Sequence, residues 1–251
     1  FDAPNFPMNL DGKIALVTGG AHRLGRAIAL GLAKEGCRLM LHFHQSSEAA
    51  AETADALRGQ GIRVEVAQAD LSSGEGVHKL FAALDAVYGG LELLVNSAAI
   101  LERVDLLEAT EDDWRRTVGL NLKGAFFTLQ QGAIRMKARG GGAIVNISDT
   151  AAHHPWPGFP LHSISKSGLE MLTQVAAARL APEVRVNAVV PGPTLKPTWM
   201  ADSRWQAIRK GTPLGYGVDP EDIAQGVVFL MKNDYVTGHT LRIDAGTLLR
   251  R

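Results

Sequence analysis

Seven short apolar runs recur along this chain, separated by longer stretches with helical spacing, and that alternation restricts the fold more than any other feature. The runs fall at 13–18, 38–43, 63–68, 91–96, 142–147, 183–190 and 240–243, with helical stretches such as 48–58, 75–87 and 112–136 between them. Most runs are continuously apolar instead of alternating, as strands covered on both faces require. Strand and helix in alternation, joined by right-handed crossovers, give an α/β doubly wound parallel sheet of the Rossmann type with helices on both faces. The chain has 251 residues, 46% of them hydrophobic, enough for one large core, and no repeat or low-complexity linker divides it. We therefore expect a single domain over 1–251. Residues 1–9 read as an N-terminal tail, and 193–217, rich in Pro, Gly and Trp, as a mobile loop over the substrate site.

Charge and cysteine usage narrow the function classes. Lys plus Arg and Asp plus Glu are each 26, so no global field favours nucleic acid or an anionic membrane as partner. No stretch approaches the roughly 20 apolar residues of a membrane span, and the N-terminus lacks a secretory pattern, so a cytoplasmic protein is expected. The single cysteine, Cys37, excludes an internal disulfide, and its apolar neighbours Leu39 and Leu41 suit a buried structural thiol.

The chemistry begins in the first strand-to-helix turn, Thr18-Gly19-Gly20-Ala21-His22-Arg23-Leu24-Gly25. Glycines let backbone approach a pyrophosphate, and the following helix offers unpaired N–H groups and a positive dipole end. A dinucleotide site is expected there. At the end of the second strand an NAD site presents an acid to the ribose, whereas a 2′-phosphate needs cations and donors. The chain reads His42-Phe43-His44-Gln45-Ser46, with no acid, which points to NADP(H). Arg23 is a further candidate near that phosphate, and Ser46 also suits the cap of the next helix.

Further landmarks are Asp70-Leu71, Asn96-Ser97-Ala98, Asn121, Asn146-Ile147-Ser148-Asp149, Lys166, Pro191-Gly192-Pro193-Thr194 and Asp244-Ala245-Gly246. Taken with the glycine turn, they make the chain resemble a short-chain dehydrogenase/reductase over nearly its whole length. Arg23 in the turn, the run from His42 to Ser46, and an aspartate at position 149 in place of serine are similar to pteridine reductases. The resemblance implies a cofactor site made of Gly19, Arg23, Leu24, Gly25, His44, Gln45, Ser46, Asp70, Leu71, Asn96, Ser97, Ala98, Ile147, Lys166, Pro191, Gly192 and Thr194. It also implies a catalytic set of Asn121, Asp149, His162 and Lys166, with Asn121 holding a water, Lys166 orienting the ribose and Asp149 helping to protonate a pterin.

The pattern breaks at His162, where the resemblance calls for a tyrosine four residues before Lys166. The three tyrosines, Tyr88, Tyr216 and Tyr235, are followed four places later by Glu92, Pro220 and His239, so none supplies the motif. Three readings stand. A protonated imidazole, ordinary pKa about 6.5, replaces the phenol as general acid in an NADPH-dependent reductase. Alternatively, the chain is a silent NADP(H)-binding or sensor protein, or the pocket runs non-redox lyase or dehydratase chemistry.

The substrate wall differs as well. Pteridine reductases stack the pterin under a phenylalanine, and here Ile100 or Leu101 stands in its place, which forfeits stacking. Trp156, Phe159 and Trp199 are the aromatic candidates for a pocket suited to a flat or partly apolar small molecule. His153 and His154, beside Asp149 and His162, lack the spacing of a metal site, so no metal is expected. The helices around 112–136 and after His162 carry small and apolar residues on more than one face, and the resemblance implies a homotetramer through them.

Overall fold

The computed structural model describes residues 8–249. Seven parallel strands, β1 (Ile14–Thr18), β2 (Arg38–Phe43), β3 (Val64–Gln68), β4 (Leu93–Asn96), β5 (Gly142–Ile147), β6 (Val184–Pro191) and β7 (Thr240–Ile243), form one sheet. Their spatial order is β3-β2-β1-β4-β5-β6-β7. Among the described residues every strand pairing is parallel, with Ala15 opposite Leu39 on one side of β1 and opposite Leu93 on the other. The order reverses between β1 and β4, so the crevice outside their C-terminal ends is the topological switch point where such sheets bind ligands.

The strands are continuous apolar runs because both faces are covered. Ala15 and Val17 pack with Ile28, Leu32, Leu57 and Leu230 on one side. Ile14 and Leu16 pack with Leu80, Phe81, Leu84 and Met136 on the other. The first layer is carried by α1 (Arg23–Lys34), α2 (Ser47–Arg58) and α8 (Pro220–Lys232), the second by α3 (Gly74–Tyr88), α5 (Ala125–Ala138) and α6 (Pro160–Leu180). Cys37 is buried with them, its thiol donating to the Leu10 carbonyl at 3.5 Å and pushed by burial up to about 12.

The stretch expected as one helix over 112–136 is three elements: α4 (Glu111–Val118), a π-helix (Gly119–Gly124) and α5. π-turns are rare, and no residue type in Gly119-Leu120-Asn121-Leu122-Lys123-Gly124 marks the change from i+4 to i+5 bonding, so the run reads as plain helix. Gly124 is pressed against the Leu71 carbonyl, where a Cβ would sit at 2.5 Å, and this close approach positions the π-turn beside the sheet edge.

Two expectations at the margins change. The 193–217 segment is not irregular throughout, because α7 (Asp202–Lys210) lies within it. The helix buries no residue fully, so its sequence lacks a strong apolar stripe. Most of the expected tail lies outside the described residues. Met8, however, donates its N–H to the Lys232 carbonyl at 3.1 Å and packs on the core beside buried Leu10.

Candidate functional site

Two hollows meet at the switch point. The smaller, a groove of ≈ 380 Å³, runs over the glycine turn and the ends of β2 and β3, and is bordered by Gly19, Arg23, Leu24, Gly25, His44, Gln45, Ser46, Asp70, Leu71, Ser97 and Ala98. Gly19 has φ +65°, and a Cβ there would lie 3.1 Å from the Ala98 backbone. A Cβ on Gly25 would collide with the Gly19 carbonyl. The turn is thus a cradle that only glycine builds. Next to it, α1 starts without a side-chain cap and without an acid in its first turn, leaving its positive end open to an anion. At the far end His44, Gln45 and Ser46 offer donors and no carboxylate, while the Gln68 side chain holds the His44 carbonyl at 2.9 Å.

Arg23 sits at the seam between the hollows with φ +53°. Its guanidinium donates to the Lys196 carbonyl at 3.1 Å and so reaches across to the segment between β6 and α7. Asn96, expected at the cofactor, borders neither hollow: it is buried, with Nδ2 donating to Asn146 Oδ1 at 2.9 Å. It braces β4 against β5 from behind.

The larger hollow, ≈ 840 Å³, contains the expected Ile147, Asp149, His162, Lys166, Pro191, Gly192 and Thr194. Lys166 is buried on α6 and donates to the Ile147 carbonyl at 2.7 Å. Burial pushes its ammonium down to about 8, with the charges of Asp149 and Glu170 pulling the other way. One turn earlier on the same helix, His162 is 4% exposed. Its Nε2 stands 3.5 Å from Asp149 Oδ2, long for a hydrogen bond, and among the described residues has no hydrogen-bond partner. Burial opposes the Asp149 charge, but the neighbouring His162 imidazole and its charge outweigh it and hold the carboxyl below its ordinary range.

The tautomer of His162 follows from its other nitrogen. Nδ1 lies 3.2 Å from the Ile100 carbonyl, which only accepts, and 3.4 Å from Asn121 Nδ2. Asn121 already directs Nδ2 to Ile100 O at 3.0 Å and to Ser165 Oγ at 3.2 Å. Both amide hydrogens are used, so Nδ1 carries a hydrogen and gives it to Ile100. In the neutral ring Nε2 is then a bare lone pair facing Asp149, and a proton placed there is shared by the pair. Asn121 itself borders neither hollow. It stands on the π-helix behind the imidazole, also accepting the Ile100 N–H at 2.9 Å, and its side chain fixes the segment that orients His162.

Aromatic rings line the wall. The Trp156 indole stacks on His162 with centroids 6.3 Å apart, meets Phe159 edge-on at 5.9 Å, and Phe159 stacks on Trp199 at 6.0 Å. Ser163 Oγ accepts the Trp156 N–H at 3.2 Å and anchors that segment to α6. Of the two aliphatic candidates, Leu101 borders this cavity while Ile100 borders the cofactor groove. Met200, Arg204 and Ile208 also line it and were not foreseen. No apolar stripe marks them in the sequence, since α7 buries no residue fully. His153, outside the cavity, pairs with Glu170 at 3.0 Å.

Comparison with known proteins agrees with the fold. A profile of the family described as enoyl-(acyl carrier protein) reductase matches residues 19–247. A short-chain type dehydrogenase/reductase of Picea abies is 30% identical, over 94% of this chain and 93% of its own. L-sorbose reductase of Gluconobacter frateurii, solved with NADPH and L-sorbose, superposes with TM-score 0.91 at 28% identity, covering 97% of this chain and 100% of that one. Alternative dihydrofolate reductase 1 (FolM) of Brucella canis, solved with NADP, gives 0.92 at 28% identity, covering 97% and 96%.

Proposed function

Because the chain belongs to the short-chain dehydrogenase/reductase family of oxidoreductases, we propose that it is an NADPH-dependent reductase of a flat carbonyl or imine substrate, pterin-like compounds included, in which His162 supplies the proton. One observation carries the reading: His162 Nε2 is buried, has no hydrogen-bond partner among the described residues, and faces Asp149 at the cavity wall. In the resemblance stated above, that position belongs to the catalytic tyrosine.

The groove residues fit NADP(H). The glycine turn and the uncapped end of α1 would take the pyrophosphate, and His44, Gln45 and Ser46 the 2′-phosphate. When bound, NADPH supplies the hydride. The chain's own groups do the rest. Lys166, fixed by the Ile147 carbonyl, would hold the ribose hydroxyls through its ammonium. Asp149 keeps a proton on His162 Nε2, and Nε2–H passes it to the substrate oxygen or nitrogen as that atom gains negative charge. Trp156, Phe159 and Trp199 offer an apolar wall to a flat ring and exclude water. Complexes of two neighbours with NADPH or NADP support the cofactor. The proposal extends to a homotetramer, since Phe126, Ile134, Met171 and Val175 expose apolar surface on α5 and α6.

The test is NADPH oxidation with dihydropterins, quinones, ketones and sugars, comparing wild type with His162→Tyr. Turnover by wild type supports the reductase. Silence from wild type with activity gained in His162→Tyr would instead identify a cofactor-binding protein whose catalysis has been switched off.

A further inference from the structure

His42 is 2% exposed at the end of β2, beneath the cofactor groove, and takes no part in the His162 constellation. Its ring is bonded at both nitrogens. The Gly19 N–H donates to Nδ1 at 3.2 Å, and Nε2 lies 3.0 Å from the Ala69 carbonyl. An N–H only donates and a carbonyl only accepts, so the ring is neutral with its hydrogen on Nε2. The backbone of the same residue adds a third bond, its carbonyl accepting the Gly20 N–H at 3.0 Å. One residue thus ties two consecutive amides of the glycine turn to the carbonyl that immediately precedes Asp70.

The turn needs such a tie. Gly19 and Gly20 have no side chains to restrain them, and free glycine backbone samples more conformations than any other. Other pins hold the turn elsewhere. Thr18 Oγ1 accepts the Ser97 and Ala98 N–H groups at 3.0 and 3.1 Å, and Thr53 Oγ1 donates to Ala21 O at 2.7 Å. Those reach β4 and α2, whereas His42 reaches the β3 side, where Asp70 borders the groove.

We propose that His42 is a positioning residue for the dinucleotide, a neutral staple that presets the spacing between the glycine turn and the Asp70 wall before the cofactor arrives. The proposal rests on reading the groove as an NADP(H) site. Ordering the turn in advance removes an entropy cost from binding. The titratable groups nearest the ring are His44 and Asp70. Burial lowers His42 to about 4, the Ala69 carbonyl and Asp70 opposing it and His44 adding to it, so the staple stays neutral at ordinary working pH.

The experiment is fluorescence titration of NADPH, with calorimetry of 2′,5′-ADP, onto wild type, His42→Asn, His42→Gln and His42→Leu. Asparagine places an amide oxygen near Nδ1 and retains the Gly19 bond, while glutamine places an amide nitrogen near Nε2 and retains the Ala69 bond. His42→Leu leaves a buried donor and acceptor unpaired and is expected to weaken both ligands about tenfold. His42→Asn and His42→Gln each keep one arm of the staple and recover only part of that affinity, Asn more because it still holds the turn itself, with the KM for substrate at saturating NADPH unchanged. Equal affinity in all four proteins overturns the assignment, as do losses that follow thermal stability and ignore which bond is retained. Should His42→Leu fail to fold, the amide pair decides, and wild-type affinity in either variant refutes the staple. Wild type that does not bind NADPH overturns the cofactor reading and the proposal with it.

Discussion

The groove of ≈ 380 Å³ is bordered mainly by backbone turns and strand ends from 19–25, 42–46 and 70–71, whereas the cavity of ≈ 840 Å³ beside it gathers large side chains from as far apart as Leu101, Trp156, Trp199 and Ile208. A phosphate is recognised by N–H groups that a short glycine turn and a helix start present without help from distant chain. A particular substrate needs a wall of particular shape, and that wall is assembled from elements that meet only in the folded state. The first kind of site is written locally in the sequence, and the second is not.

The largest effect expected from this contrast is in the groove. Gly25→Val places a side chain against the Gly19 carbonyl and should abolish NADPH binding, as calorimetry would show. Retained binding would mean the turn is not the cradle. His44→Asp puts a carboxylate at the end of β2 and should shift the ratio of NADP(H) to NAD(H) affinity toward NAD(H) about fivefold, one close charge in water-like surroundings being worth about 1 kcal/mol. An unchanged ratio would remove His44 from the phosphate site.

In the cavity, Trp199→Ala removes the ring stacked on Phe159 and should raise the KM for a flat substrate about threefold to tenfold, leaving the NADPH Kd alone. A shift in both constants would erase the division between the hollows. A smaller effect concerns stability. Lys166 titrates near 8 when folded against an ordinary value of 10.5, so the unfolded chain binds the extra proton more tightly. Wild-type stability should therefore rise between about pH 8 and 10.5 relative to Lys166→Met, measured by urea unfolding. A parallel pH dependence in the two proteins would contradict the buried charge.

The same contrast explains what the sequence revealed. The strands emerged within a residue or two, as with 13–18 against Ile14–Thr18, because burial on both faces writes a continuous apolar run. The glycine turn was legible from its place after the first strand, whereas Asp149, His162 and Lys166 came from the family resemblance, which their spacing supports. The π-helix at Gly119–Gly124 was not legible, since no residue type there marks the change in backbone bonding. Nor was α7, which buries nothing fully, and with it went Met200, Arg204 and Ile208 on the cavity wall. The bond from His42 to Gly19 joins residues 23 apart through an imidazole, and no spacing rule marks it.

The account turns on His162 as the proton donor. The most direct test measures turnover and the NADPH Kd on the same preparations of wild type and His162→Ala, with whichever substrate wild type reduces. Removing a general acid should lower kcat about 10² to 10⁴-fold while leaving the NADPH Kd unchanged. A variant that turns over as fast as wild type would show that the proton comes from elsewhere.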